Sequence, residues 1–220
     1  MLGLSGPQQA AQKKTVLKTQ VDKVSYCIGL DVGKNFKQQE IAVNPDLLVK
    51  GIKDALSGVT PALTDDQIRE VMTAFQTEMM SKMEEKSKRS GEKNKQEGET
   101  FLAENKNKEG VVTLPSGLQY KILVDGKGRK PALKDTVTAH YRGTLLDGTE
   151  FDSSYKRGEP TSFAVGGVIK GWTEVLQLMR VGSKWQVYVP AHLAYGDRAA
   201  SQEIGPNSTL IFEIELIAVK

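Results

Sequence analysis

Apolar residues recur every three or four positions in the first part of the chain, and every second position after about Val112. Val24, Ile28, Val32 and Phe36 fall four residues apart, which puts them on one face of a helix over residues 21–38. Asn44-Pro45-Asp46 predicts the next helix start. Asn supplies the cap, Pro fits the first turn, and the acid meets the positive end of the dipole. Leu48, Ile52 and Leu56 line that helix, and Gly58 ends it. Thr64 and Gln67 form a capping box for a third helix, whose stripe runs Ile68, Val71, Met72, Phe75, Met79, Met83.

Beyond Met83 the stripe stops. Glu84–Lys108 holds seven basic and six acidic residues, with Gly91 and Gly98 among them. Opposite charges four apart, such as Glu84–Lys88, Glu85–Arg89 and Glu104–Lys108, each support a helix by about 0.2–0.5 kcal/mol. A helix polar all round either crosses solvent between domains or is unstable. The expectation is a solvent-crossing helix, about 60 Å long if it runs from residue 65 to 105. A charged disordered linker is the alternative, and the two glycines are its best support.

The second half alternates. Val137, Ala139 and Tyr141 interleave with Thr136, Thr138 and His140. Trp185, Val187 and Val189 interleave with Lys184, Gln186 and Tyr188, and Leu210, Phe212, Ile214 and Leu216 form a third such row. These are strands with one buried face, separated by turn signals at Asp125-Gly126, Asp147-Gly148, Arg157-Gly158 and Gly205-Pro206-Asn207. One helix fits among them, on Trp172, Val175, Leu176 and Met179. The fold class is α+β: an all-helical N-terminal region, a long connecting helix, and an antiparallel sheet wrapped on one short helix.

A length of 220 residues, with 39% hydrophobic and 26% charged, allows two ordinary domains. The net charge of +3 comes entirely from Lys13, Lys14 and Lys18 in a tail without acids, so it does not signal nucleic-acid binding. The Gly/Pro/Gln/Ala-rich residues 1–20 are expected to be a disordered tail. Cys27 is the single cysteine, which rules out an intramolecular disulfide; it is expected to be a small buried helix residue. No apolar run is long enough for a transmembrane segment, and residues 1–20 lack the pattern of a secretory signal. The expected domains are residues 21–83 for dimerisation, 84–111 for the connecting helix and 112–220 for the sheet. The helices of residues 21–83 have no second layer to cover their stripes, so a homodimer is expected. Met72, Met79, Met80 and Met83 would pack at its interface.

The chemistry is constrained by what is missing. His140 and His192 have no Cys or acid at ligand spacing, so neither a metal site nor a cofactor is expected, and His140 is expected to be an exposed strand residue. The sheet region instead carries five strings in order: His140-Tyr141-Arg142-Gly143, Asp147-Gly148-Thr149-Glu150-Phe151-Asp152-Ser153-Ser154, Val168-Ile169-Lys170-Gly171-Trp172, Leu193-Ala194-Tyr195-Gly196 and Thr209–Leu216. They resemble the successive motifs of FKBP-type prolyl isomerases. Ser25-Tyr26-Cys27-Ile28-Gly29, Gly33-Lys34-Asn35-Phe36, Glu104–Lys108 and Leu114–Tyr120 extend the resemblance to the macrophage infectivity potentiator subfamily of bacterial envelope isomerases. That resemblance implies a V-shaped dimer, and a periplasmic or outer-membrane location that these residues do not themselves encode.

It also implies site residues. Trp172 would form the floor under a proline ring, with Tyr141, Phe151, Val168, Ile169 and Phe212 as walls and Phe163 behind them. Tyr195 and the Ile169 backbone N–H would contact the substrate carbonyl. Asp152 would orient the cleft or meet the carbonyl carbon, or else be a structural acid satisfied by Tyr141 or a nearby Arg. Two departures bear on substrate preference and on affinity for macrolide inhibitors. Thr161 stands where many relatives have an aromatic, and the loop Asp197–Ile204 is polar. The expected activity is rotation of X–Pro bonds in protein substrates; the alternative is a dimeric clamp on unfolded chains with turnover incidental.

Overall fold

The computed structural model describes residues 16–220; most of the expected disordered tail, residues 1–15, lies outside the described residues. The chain divides into two compact units, residues 1–70 and 71–220.

The first unit is helical. Helix α1 spans Gln20–Gln38, and Thr19 and Asp22 cap it reciprocally: the Asp22 amide donates to Thr19 Oγ1 at 3.0 Å and the Thr19 amide donates to Asp22 Oδ2 at 2.8 Å. Helix α2 spans Pro45–Ser57; Asn44 Oδ1 accepts from the Asp46 and Leu47 amides, and Gly58 closes it at φ +65°. Helix α3, Asp65–Asn105, begins at the expected Thr64–Gln67 box, passes out of this unit and runs unbroken for 41 residues. No residue of α1 or α2 is buried in the single chain. Ile28, Leu47, Ile52 and Leu56 are all more than half exposed. The prediction for Cys27 is corrected: it is exposed, because no described residue packs over that face of α1.

The second unit is a seven-stranded antiparallel sheet: β1 Val111–Thr113, β2 Gln119–Val124, β3 Thr136–Thr144, β4 Glu150–Ser153, β5 Thr161–Ala164, β6 Lys184–Val189 and β7 Leu210–Val219. The order is β1-β2-β6-β7-β3-β4, with β5 also pairing β3. Helix α5, Lys170–Leu176, lies on the apolar face, where Val137, Ala139, Val175, Leu176, Met179, Val187 and Ile214 are fully buried. Each of the larger side chains among these contributes about 1.5–3 kcal/mol by leaving water. A one-turn helix, α4, Ser154–Arg157, follows β4; its turn signal, Arg157-Gly158, was legible but its helical form was not.

The polar part of α3 is not a free bridge. Gly91, Gly98 and Asn105 are buried, and their seven-residue spacing puts them on one face. A Cβ at Gly91 would stand 3.1 Å from Pro206 Cβ, and one at Gly98 would overlap Thr209 Oγ1. Asn105 Nδ2 donates to Gln119 Oε1 at 2.9 Å, Gln119 Nε2 donates to the Leu102 carbonyl at 2.8 Å, and the Phe101 ring meets Tyr188 at 5.7 Å. The last turns of α3 therefore cover the outer face of β2 and β6. The glycines that favoured a disordered linker are instead the points where the helix backbone comes close to the sheet unit.

Candidate functional site

Strand register builds the site. On β3, Tyr141 lies opposite Ile214 and Gly143 opposite Phe212 of β7. Gly143 is required there: a Cβ would come within 2.6 Å of the Phe151 ring and 2.9 Å of Phe212. The missing side chain lets those two rings meet edge to face, 5.6 Å apart. The first turn of α5 brings Trp172 beneath them, 3% exposed. Its indole is met edge-on by Phe212 at 5.2 Å, Tyr141 at 5.3 Å and Phe163 at 5.4 Å. Trp172 Nε1 is buried without a hydrogen-bond partner among the described residues.

These rings line an open cavity of ≈ 440 Å³, bordered by Tyr141, Phe151, Asp152, Phe163, Gly167, Val168, Ile169, Trp172, Tyr195 and Phe212. All nine side chains singled out from the sequence are in that lining, and Gly167 joins them. The volume suits a peptide-sized or small-molecule occupant. A smaller, more polar cavity of ≈ 220 Å³ lies between α3 and the β3–β4 turn, lined by residues such as Lys93, Glu97, Asp147 and Thr209.

Three polar groups lock one side of the large cavity. Tyr141 OH donates to Asp152 Oδ2 at 2.5 Å, Arg157 Nη1 donates to Asp152 Oδ1 at 2.5 Å, and Arg157 Nη2 donates to Tyr141 OH at 2.8 Å. Arg157 Nη2 also donates to Thr161 Oγ1 at 3.1 Å. Arg157 is the site residue that the sequence does not single out, since the Arg157-Gly158 pair signals only a turn. Both partners imagined for a structural Asp152 are present. Burial pushes the Asp152 carboxyl up, but the hydrogen bonds from Tyr141 and Arg157 outweigh it and hold the acid below its usual range. Burial and the Asp152 contact together raise the Tyr141 hydroxyl. Tyr195 stands at the lip, 44% exposed, on a loop that begins with a 3-10 turn at Ala191–Leu193. His140 is half-buried rather than exposed, stacked on Tyr155 at 4.6 Å with Nδ1 3.0 Å from Ser154 Oγ.

Residues 21–122 match the family model described as the domain amino terminal to FKBP-type peptidyl-prolyl isomerase, and residues 127–217 match FKBP-type peptidyl-prolyl cis-trans isomerase. The chain is 54% identical over 211 residues to the outer membrane protein MIP of Legionella longbeachae, covering 96% of this chain and 91% of that one. It is 45% identical over 210 residues to the peptidyl-prolyl cis-trans isomerase Mip of Coxiella burnetii, with the same coverage of each. The crystal structure of FkpA from Escherichia coli superposes with a TM-score of 0.72 at 37% identity, covering 93% of this chain and 99% of that one.

Proposed function

This chain belongs to the FKBP-type peptidyl-prolyl cis-trans isomerases, and we propose on that premise that it turns X–Pro bonds of protein substrates within the aromatic cavity floored by Trp172. The activity needs no nucleophile, because no bond breaks. The barrier is amide resonance, about 18–20 kcal/mol, and the uncatalysed change takes tens to hundreds of seconds. Catalysis therefore means favouring the twisted amide over both planar forms. Twisting removes C–N double-bond character and leaves the carbonyl less charge-separated, so a dry apolar cavity stabilises the twisted state relative to the planar one. Each tenfold in rate needs about 1.4 kcal/mol of that preference.

The residue roles are those that the family resemblance implies. The proline ring sits on Trp172 between Tyr141, Phe151, Val168, Ile169 and Phe212, with Phe163 behind. Tyr195 OH and the Ile169 N–H hold the substrate carbonyl. Asp152, fixed by Tyr141 and Arg157, orients the cleft. The supporting observation is that one cavity unites all nine side chains. Thr161 turns its hydroxyl to Arg157 and not a ring to the cavity, which leaves that wall thinner for macrolide inhibitors. An NMR-exchange or protease-coupled assay on a short X–Pro peptide tests the placement. Tyr195→Phe and Asp152→Ala should each slow exchange; wild-type rates in both would place the chemistry elsewhere.

Residues 21–83 act as the dimerisation segment, 84–111 as the connecting helix and turn, and 112–220 as the isomerase domain. The apolar stripes of α1 and α2, none of whose residues is buried, support a homodimer. Light scattering giving the mass of one chain at micromolar concentration would sink it. The same stripes favour a second role, a two-armed clamp for unfolded chains. No helix among the described residues is long and apolar enough to cross a membrane. The resemblance to a relative named as an outer membrane protein supports a periplasmic or outer-membrane location.

A further inference from the structure

We infer that Asn207 is a positioning residue that ties the Tyr195 lip of the cleft to helix α3, so that this helix is part of the catalytic apparatus; the inference rests on the reading of the cleft as the isomerase site.

The tie is continuous from helix to lip. The Asn207 side chain Nδ2 donates to the Gly91 carbonyl of α3 at 3.2 Å. Its backbone N–H donates to the Gly196 carbonyl at 2.8 Å, one residue from Tyr195. From the helix side, Asn94 Nδ2 donates to the Pro206 carbonyl at 2.8 Å and reaches Ser208 Oγ at 3.4 Å. Pro206 is buried, against the bare backbone of Gly91. The segment of residues 206–208 is thus clamped to α3 by three side-chain hydrogen bonds and one close approach.

The conformation of Asn207 fits this task. Its φ is +56°, one of only two positive values at non-glycine residues among those described. Glycine would adopt that backbone at no steric cost, and asparagine is among the few side-chain-bearing residues that tolerate it. Asparagine adds what glycine lacks, a side-chain donor that reaches the helix. The lip's other restraints are local to its loop: the Leu193 and Ala194 amides donate to the Pro190 and Ala191 carbonyls at 2.9 Å each, and both residues pack against the core. Gly196, at φ +65°, bonds back to the Ala191 carbonyl at 2.8 Å, and His192 Nε2 lies 2.9 Å from the Ser116 carbonyl. Tyr195 is 44% exposed and is joined to α3 through Gly196 and Asn207, so loss of the Asn207 tie loosens the group that meets the substrate.

The test uses the full chain. Asn207→Gly keeps the left-handed backbone and its bond to Gly196 but removes the reach to Gly91. Its expected effect is faster hydrogen exchange at the Gly196 amide, with the amides of Val187 and Leu216 unchanged. The peptide assay should show kcat/KM reduced about two- to tenfold, the scale of one lost hydrogen bond, through KM more than kcat. Asn207→Asp, which tolerates the backbone but cannot donate, should behave alike. In a Tyr195→Phe background the kinetic loss should shrink, because the tie acts through that side chain. Unchanged Gly196 exchange, unchanged kcat/KM, or a loss accompanied by general opening of the sheet amides each overturns the inference. If Tyr195→Phe alone is fully active while Asn207→Gly still lowers kcat/KM and loosens Gly196, the tie stands and only the role of the Tyr195 hydroxyl falls.

Discussion

Gly98→Ala tests whether α3 is docked on the sheet unit. In a free helix the change stabilises by about 1 kcal/mol, because alanine is the better helix former. Here the new Cβ would overlap Thr209 Oγ1 and stand 3.3 Å from Thr209 Cβ. Thr209 is 5% exposed at the entry to β7, so neither partner can retreat freely. Overpacking of this kind costs about 1–3 kcal/mol. The expected net effect is a destabilisation of about 0–2 kcal/mol. Thr209→Ala removes the overlapping oxygen, and in that background Gly98→Ala should become neutral or stabilising. Both tryptophans, Trp172 and Trp185, lie in the sheet unit, so urea unfolding followed by tryptophan fluorescence reads that unit specifically. A coupling of about 1–3 kcal/mol between the two positions is the expected signature. If Gly98→Ala stabilises equally in both backgrounds, the helix is not docked and the reasoning fails.

Three further outcomes follow from the site. Gly143→Ala should destabilise by about 1–3 kcal/mol in thermal melts and lower kcat/KM, because it drives the Phe151 and Phe212 rings apart. Tyr141→Phe should cost about 1 kcal/mol of stability, as Asp152 and Arg157 lose their shared hydroxyl; an unchanged melting temperature would mean the pair closes the gap unaided. Asp152 is held below its ordinary 3.8, so its contribution to stability is present above that pH and is lost as pH falls through its lower folded value. Arg157→Leu removes one of the groups holding it down. NMR titration should then show the Asp152 carboxyl protonating at higher pH, and an unmoved titration would deny Arg157 that role.

The sheet was legible because β3 and β7 bury one face by a period of two, as at Val137 and Ile214; β6 departs from it at Tyr188, which is buried on the opposite face under α3. The cleft was legible for a different reason: its motifs matched a family in order. Arg157 was not, since nothing about an Arg-Gly turn signal says that the guanidinium folds back 2.8 Å from a tyrosine hydroxyl sixteen residues earlier. The α3 seam was misread because hydrophobicity scales score side chains. Gly91 and Gly98 make their contacts by having none, and Asn105 is buried through hydrogen bonds to Gln119.

That seam also acts as a rotational ruler. Each residue inserted in a helix turns everything beyond it by about 100°. Insertions N-terminal to Ser90 leave Gly91, Asn94, Gly98 and Asn105 in their mutual register. One residue added between Gly91 and Asn105 swings one end of the stripe off the surface it touches, and seven added residues restore the angle to within about 20° but carry Asn105 about 10 Å along the axis from Gln119. This seam therefore tolerates changes in helix length N-terminal to Ser90 and none between Gly91 and Asn105.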